Sequence, residues 1–307
     1  MEENRKKIED AIRALDFRVN EMARGLKTNR TMTVGVLIPS LDKIFFTSII
    51  SYIENVLLQH KYSIIVCNYR DNLSLEKEKL KFLLDKMVDG IIMVPMGRDI
   101  EHIKLVMEKN VPIVLIDRVV KGIDCDVVLA DNLNAAYNAV EQLIIRGHKR
   151  IGIICGPEDI YTTQERLKGY LRVHEDYALE IDHSLIEYGD YEIQSGYHLI
   201  LKLMDMSNPP TAVFVTNYEM TLGAIMAINE RNIRIPDQLS LIGFDNIQMA
   251  KIVKPSLSIV VQPIKQIGET AANILLKRMI GDNSNFPFIH RLKTEFLLKD
   301  SIKSINT

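Results

Sequence analysis

The chain has 307 residues, 47% of them apolar, with 38 Lys and Arg against 40 Asp and Glu, for a net charge of −2. That length suits about two domains, and the near-neutral balance excludes a body that holds nucleic acid through bulk charge, leaving any such contact to a local patch. Three widely spaced cysteines, Cys67, Cys125 and Cys155, form no C-x-x-C pair and read as reduced core thiols.

The first 31 residues differ in kind from the rest. Residues 2–15 read as a helix with Ile8, Ile12 and Leu15 on one face and charges elsewhere. They offer no uninterrupted apolar stretch for a secretory signal, and no run of about 18 apolar residues follows to span a membrane, so a cytoplasmic protein is expected. A second helix of two turns is expected from the N-cap Asn20 through Ala23, Arg24, Leu26 and Lys27; Gly25 weakens it, and so short a helix is marginal alone in water. Arg18, Arg24, Lys27 and Arg30 against Glu21 make this stretch locally basic, as either a solvated linker or a DNA contact.

From Thr33 onward, short apolar runs alternate with segments whose apolar residues recur at three and four. The runs are 33–39, 62–68, 89–95, 112–117, 127–131, 150–156, 212–216, 239–245 and 257–262, each nearly continuous in Val, Ile and Leu. Continuous runs are the mark of parallel strands covered on both faces, and the intervening helical segments, such as 74–86, 132–146 and 218–232, are then crossover helices. There are too many strands for one comfortable sheet, and the pattern repeats after about residue 130. The predicted fold is therefore α/β, two doubly wound parallel-sheet lobes behind a short N-terminal helical arm.

Open α/β sheets bind ligands beyond the carboxyl ends of their strands, so two facing lobes would enclose a cleft lined by strand-end residues. Polar groups cluster there: Asp117-Arg118, Asp131-Asn132, Asn217, Asp245-Asn246 and Gln262. Each aspartate could equally be a helix N-cap. An enzyme is the main rival, but there is no G-x-S-x-G elbow, no phosphate-binding G-x-x-x-x-G-K-[ST], and no G-x-G-x-x-G after the first strand. The seven histidines show no metal-ligand spacing; His148 reads as a capping or surface residue, and Glu76 and Glu78 as solvated charges on a helix. No catalytic residue, metal or cofactor is expected.

The run VNEMARGLKTNRTMTVGVLIP resembles the hinge and first core strand of LacI/GalR-type transcription regulators, and matches follow in order: IFF, VDGIIMVP, IVLIDR, VLADN, GHKRIGIICG, ERLKGY, VFVTNYEMTLGAI, IRIPDQLSLIGFDN and VVQP. The resemblance covers essentially the whole chain. It implies a lobed core of the type I periplasmic-binding-protein kind, with 32–129 plus 263–289 in one lobe, 130–262 plus 290–307 in the other, and 1–31 as remnant helix and hinge. It implies a homodimeric repressor whose core binds a small effector, a sugar, sugar acid or sugar phosphate, that allosterically controls operator DNA binding. A standalone periplasmic-type sugar-binding protein is the alternative.

By position, the resemblance implies that Phe45 and Phe46 wall the effector, and that Asp117, Arg118, Asp131 and Arg166 clamp it. Asn217, Asp245 and Gln262 would contact it from the second lobe and the crossover, with Tyr191 closing the cleft. In the hinge, Leu26 would wedge between base steps in the minor groove, beside Asn20, Ala23, Arg24 and Lys27. The sequence departs from the pattern at Lys43-Ile44, where sugar-type members carry Asn-Pro, and a lysine at the cleft mouth hints at an anionic effector. Asp16 and Val19 replace the usual Gly and Pro of the arm. The family's helix-turn-helix has no counterpart before the arm, as expected of a trimmed chain or a displaced gene start.

Overall fold

The computed structural model describes residues 5, 14, 30–97, 99–245 and 247–305. The expected hinge residues Asn20, Ala23, Arg24, Leu26 and Lys27, and Asn246, lie outside the described residues.

The nine apolar runs and three further short strands form two six-stranded sheets. The first contains β1 (Thr33–Ile38), β2 (Ser63–Asn68), β3 (Gly90–Met93), β4 (Ile113–Ile116), β5 (Asp126–Ala130) and β11 (Ile289–Leu292), ordered β11-β5-β4-β3-β1-β2 and parallel throughout. The second contains β6 (Ile151–Cys155), β7 (Ile186–Tyr188), β8 (Ala212–Val215), β9 (Ser240–Phe244), β10 (Ser258–Val261) and β12 (Glu295–Leu297), ordered β12-β10-β9-β8-β6-β7. Only β12 runs antiparallel, against β10.

Helices cover both faces of each sheet, which is why the central strands are buried along their whole length. In the first lobe, α1 (Ile44–Gln59) and α9 (Ile264–Met279) pack on the face carrying Val34, Val36 and Ile38. The opposite face, with Leu37 and Met93, meets α2 (Leu73–Asp85) and α3 (Glu101–Glu108). In the second lobe, α4 (Asn132–Ile145) and α5 (Tyr161–Asp176) cover one face, and α6 (Ile193–Met204) and α7 (Tyr218–Glu230) the other, near the short α8 (Ile247–Ile252). The α6 and α7 backbones meet at Gly223, where a Cβ would stand 1.9 Å from the Ile193 carbonyl oxygen, so only glycine permits the crossing.

The chain passes between lobes three times: from β5 into α4, from β10 into α9, and from β11 to β12. The last passage follows Leu292, because His290, Arg291 and Leu292 pair with β5 in the first sheet. The boundary expected at 289/290 is corrected accordingly. The strands β7, β11 and β12 were not expected at all; they are short edge elements, only partly buried, and lack the apolar runs that betray the others.

Glu76, read as a solvated charge, and His148, read as a capping or surface residue, are both buried. Glu76 is wholly inaccessible; one carboxylate oxygen accepts from the Met96 amide at 2.8 Å and the other meets His102 Nε2 at 2.7 Å. His148 is also inaccessible, bonded to Thr211 Oγ1 at 2.8 Å and to the Lys303 carbonyl at 3.1 Å, and burial pushes its pKa down, favouring the neutral ring. Helix periodicity could not distinguish the inward Glu76 from its charged neighbours, and His148 lies in the loop between α4 and β6, where no periodicity applies.

Candidate functional site

The lobes face one another across the carboxyl ends of their strands and enclose a cavity of about 200 Å³. The two topologies match slot for slot, so equivalent loops approach the cavity from opposite sides. The strand β4 ends in Asp117 and β9 in Asp245, both in left-handed backbone at φ 69° and 61°, conformations that Asp tolerates better than most residues. Each turns its amide to the next strand, Asp117 to the Val128 carbonyl and Asp245 to that of Val260. This backbone turn presents both carboxylates at the rim of their sheets.

Ten of the predicted residues line this one cavity: Lys43, Phe45, Phe46, Asp117, Arg118, Arg166, Tyr191, Asn217, Asp245 and Gln262. Asp131 does not. It occupies the same slot as Gln262, at the end of a crossover strand, but caps α4, accepting from the Asn134 amide at 3.4 Å and its side-chain nitrogen at 2.6 Å. The N-cap demand of the helix that starts at once takes the carboxylate.

The floor is a buried polar network. The Arg166 guanidinium lies 3.9 Å over the Phe244 ring, with Nε donating to Asn132 Oδ1 at 2.8 Å and an Nη to the Thr216 carbonyl at 2.5 Å. Gln262 Nε2 donates to both oxygens of Asp245, at 3.0 and 3.1 Å. Since a carboxylate needs donors, this contact fixes the amide orientation. Burial pushes the Asp245 pKa up to about 6, more than Arg166 and the Gln262 bond can offset, and burial also raises that of Asp117. Arg118 donates to the Pro95 carbonyl at 3.3 Å, while its Nε stands 3.6 Å from Asp117 Oδ2, in ion-pairing range but beyond a hydrogen bond. Among the described residues, the buried Arg118 Nε and Gln262 Oε1 have no hydrogen-bond partner.

The wall and mouth are built differently. Phe45 and Phe46 meet edge to face, with centroids 5.2 Å apart; Phe46 is largely core and Phe45 half-buried. The Tyr191 ring rests on Gly156, where a Cβ would fall 2.0 Å from it, and its hydroxyl bonds Thr163 Oγ1 at 2.7 Å and Thr162 Oγ1 at 3.2 Å. From the first lobe, Lys43 Nζ crosses the mouth to the Tyr191 carbonyl at 3.0 Å and Glu192 Oε1 at 2.9 Å. Its charge is met by the protein itself, which removes the support that this lysine lent to an anionic effector.

Sequence reading missed Asp71, Asp159, Thr162, Asp190 and Glu219, which also line the cavity. Asp71 and Asp190 follow the second strand of each lobe, three and two residues beyond its end, and the strand before Asp190 is too short to recognise. Glu219 lies two residues past the N-cap Asn217, whose Nδ2 donates to it at 2.6 Å.

Among the described residues, no group of three or more His, Cys, Asp or Glu could hold a metal ion, and no helix is long and apolar enough to cross a membrane. Residues 31–294 match the family described as periplasmic binding proteins and sugar binding domain of the LacI family. The catabolite control protein A of Priestia megaterium is 36% identical over 94% of this chain and 88% of its own length. The HTH-type transcriptional repressor PurR of Proteus mirabilis is 34% identical over 88% and 80%. Among solved structures, a LacI family transcriptional regulator from Enterococcus faecium with bound ribose superimposes with a TM-score of 0.80 at 27% identity, covering 89% of this chain and all of that one.

Proposed function

This chain belongs to the family of periplasmic binding proteins and LacI sugar-binding domains, and from that premise we propose that it is a transcriptional repressor whose cavity binds a sugar or sugar derivative that controls operator binding. The carrying observation is the pair of buried atoms Arg118 Nε and Gln262 Oε1, without partners among the described residues, in a cavity that sets aromatic rings beside carboxylates and guanidinium groups. A sugar offers an apolar C–H face for Phe45 and hydroxyls that both accept and donate. One hydroxyl accepting from Arg118 Nε and another donating to Gln262 Oε1 would relieve two buried desolvation penalties, each costing about 1–3 kcal/mol.

Because the contacts come from both lobes, ligand binding favours one interlobe angle, and the three crossover passages are where that angle changes. In the homodimer, two hinge helices built around Asn20, Ala23, Arg24, Leu26 and Lys27 would lie together in the DNA minor groove with Leu26 as wedge. On the sequence reading a segment so short would order on DNA, and the lobe angle that sets hinge spacing would then also set the cost of ordering. The coupling is reciprocal: a sugar that weakens operator binding binds the operator-bound form more weakly by the same factor. A standalone sugar-binding protein would share the cavity but not this coupling, and relatives named as regulators favour the repressor.

The test has two parts. A thermal-shift panel of neutral, acidic and phosphorylated sugars and of purines should show stabilisation by a sugar present well above its Kd. In a chain carrying a helix-turn-helix head, the same sugar should change operator affinity measured by fluorescence anisotropy, and Leu26→Ala should weaken it. Stabilisation by purines alone would refute the sugar reading, and unchanged operator affinity in both experiments would refute the repressor.

A further inference from the structure

Building on the sugar-site reading, we propose that the cavity selects a polyhydroxylated ligand bearing an ammonium group, an amino sugar, over the neutral parent and over carboxylated or phosphorylated forms. Among the described residues, six carboxylates line the cavity, those of Asp71, Asp117, Asp159, Asp190, Glu219 and Asp245, against three cations, Lys43, Arg118 and Arg166.

The cations are already engaged. Lys43 is held by Glu192 and the Tyr191 carbonyl, Arg166 by Asn132 and the Thr216 carbonyl, and Arg118 by the Pro95 carbonyl and the Asp117 charge. An incoming carboxylate or phosphate could take the donor Arg118 Nε, but its charge would then stand inside a cavity lined by an excess of carboxylates.

The acceptors, in contrast, are in surplus. Glu219 takes its side-chain bond from the neutral amide of Asn217 and is half-buried, and burial raises its pKa. Asp71 and Asp190 are exposed at the mouth. At the floor, Gln262 Oε1 is a buried acceptor without a donor among the described residues, its orientation fixed by the two bonds to Asp245. An ammonium supplies three donors and a positive charge in one group, and hydroxyls supply donors that can also accept from Arg118 Nε. Low-dielectric walls concentrate the field of the acidic lining toward the opening, attracting cations and repelling anions before contact. Asp117, Arg118, Asp245 and Gln262 hold the hydroxyl end at the floor, and Glu219 and Asp190 face the ammonium nearer the mouth.

Calorimetric titration of the full chain should compare glucose, galactose and mannose with their 2-amino-2-deoxy forms, aldonates and 6-phosphates. For whichever sugar binds, the amino form should bind about tenfold tighter than the parent and the anionic forms at least tenfold weaker. Glu219→Gln should bring the amino-to-neutral ratio close to one. A neutral or anionic form that binds as tightly as the amino form overturns the inference, and so does a ratio that survives Glu219→Gln. The electrostatic premise is read without any sugar by NMR relaxation enhancement from 4-amino-TEMPO and 4-carboxy-TEMPO. Stronger enhancement by the cationic probe at amides of 189–192 and 218–220 supports the inference, and stronger enhancement by the anionic probe defeats it. If no sugar binds while the cationic probe still accumulates, the sugar reading fails and the amino-sugar inference fails with it, leaving only the electrostatic premise; if sugars bind without amino preference, the inference fails alone.

Discussion

The two lobes repeat one topology, and the cavity shows what each makes of it. In both, the strand next to the crossover strand ends in a left-handed aspartate, Asp117 or Asp245. Beside the first stands Arg118, with a single 3.3 Å bond to a carbonyl; within reach of the second lies Arg166, stacked on Phe244 and bonded twice. The slot after the crossover strand diverges further, since Gln262 feeds the cavity floor while Asp131 caps a helix. Equivalent backbone therefore does not confer equivalent chemistry: what a strand-end side chain does is decided by the nearest unmet hydrogen-bonding demand.

Comparing the two arginines gives the largest expected effect. Arg166→Ala should destabilise the fold by about 3 kcal/mol, because it strips a cation from between two buried carboxylates along with two hydrogen bonds and a ring contact. Arg118→Ala should cost the fold about 1 kcal/mol, with sugar affinity falling about a hundredfold. Denaturant titration and calorimetry separate the two, and equal stability losses would erase the asymmetry between lobes.

The aspartates test the same contrast through pH. The Asp245 carboxyl is raised from 3.8 to about 6 by burial, with Arg166 and the Gln262 bond opposing and Glu219 and Asp117 adding to the rise. Between about pH 4 and 6 the folded chain therefore holds a proton that the unfolded chain has released. Stability falls as pH rises through that window, and the penalty is complete above pH 6. Asp245→Asn, which also suits left-handed backbone, should stabilise the unliganded protein by on the order of 1–2 kcal/mol at pH 7 while weakening sugar binding. By pH 4 the gap in melting temperature between variant and parent should close; a constant gap would show that this carboxyl does not titrate in the window.

The matched slots after the crossover strands sharpen the comparison at smaller scale. Asp131→Ala should cost about 1 kcal/mol of stability through the lost cap and leave sugar affinity within about twofold. Gln262→Leu should weaken sugar binding about tenfold, the worth of one hydrogen bond to a buried acceptor. The smallest effect belongs to Lys43→Met, which removes an ion pair whose Glu192 side chain is 60% exposed. Solvent screening holds its contribution below about 1 kcal/mol, and solution scattering should show the lobes spending more time apart.

Most of the fold was legible because a strand buried on both faces must be a continuous apolar run, and nine such runs mark nine strands. The strands β7, β11 and β12 escaped because they are three or four residues long and carry no continuous apolar run, unlike β2, the fourth edge strand. Strand-end position located most of the cavity, but could not rank its occupants: Asp131 and Gln262 look alike until the helix after Asp131 claims it. Asp71, Asp190 and Glu219 were invisible because they reach the cavity from loops or a helix turn beyond the strand ends.

By itself, the sequence settled the two parallel α/β lobes and the family, since hydrophobic pattern and motif order are local properties of the chain. Only tertiary structure decided that Lys43 is bound to Glu192, that Glu76 and His148 are buried, and that the described residues lining the cavity carry more negative than positive charge. Each of these depends on which distant groups meet, because burial and pairing determine whether a charged side chain serves the protein or remains free for a ligand.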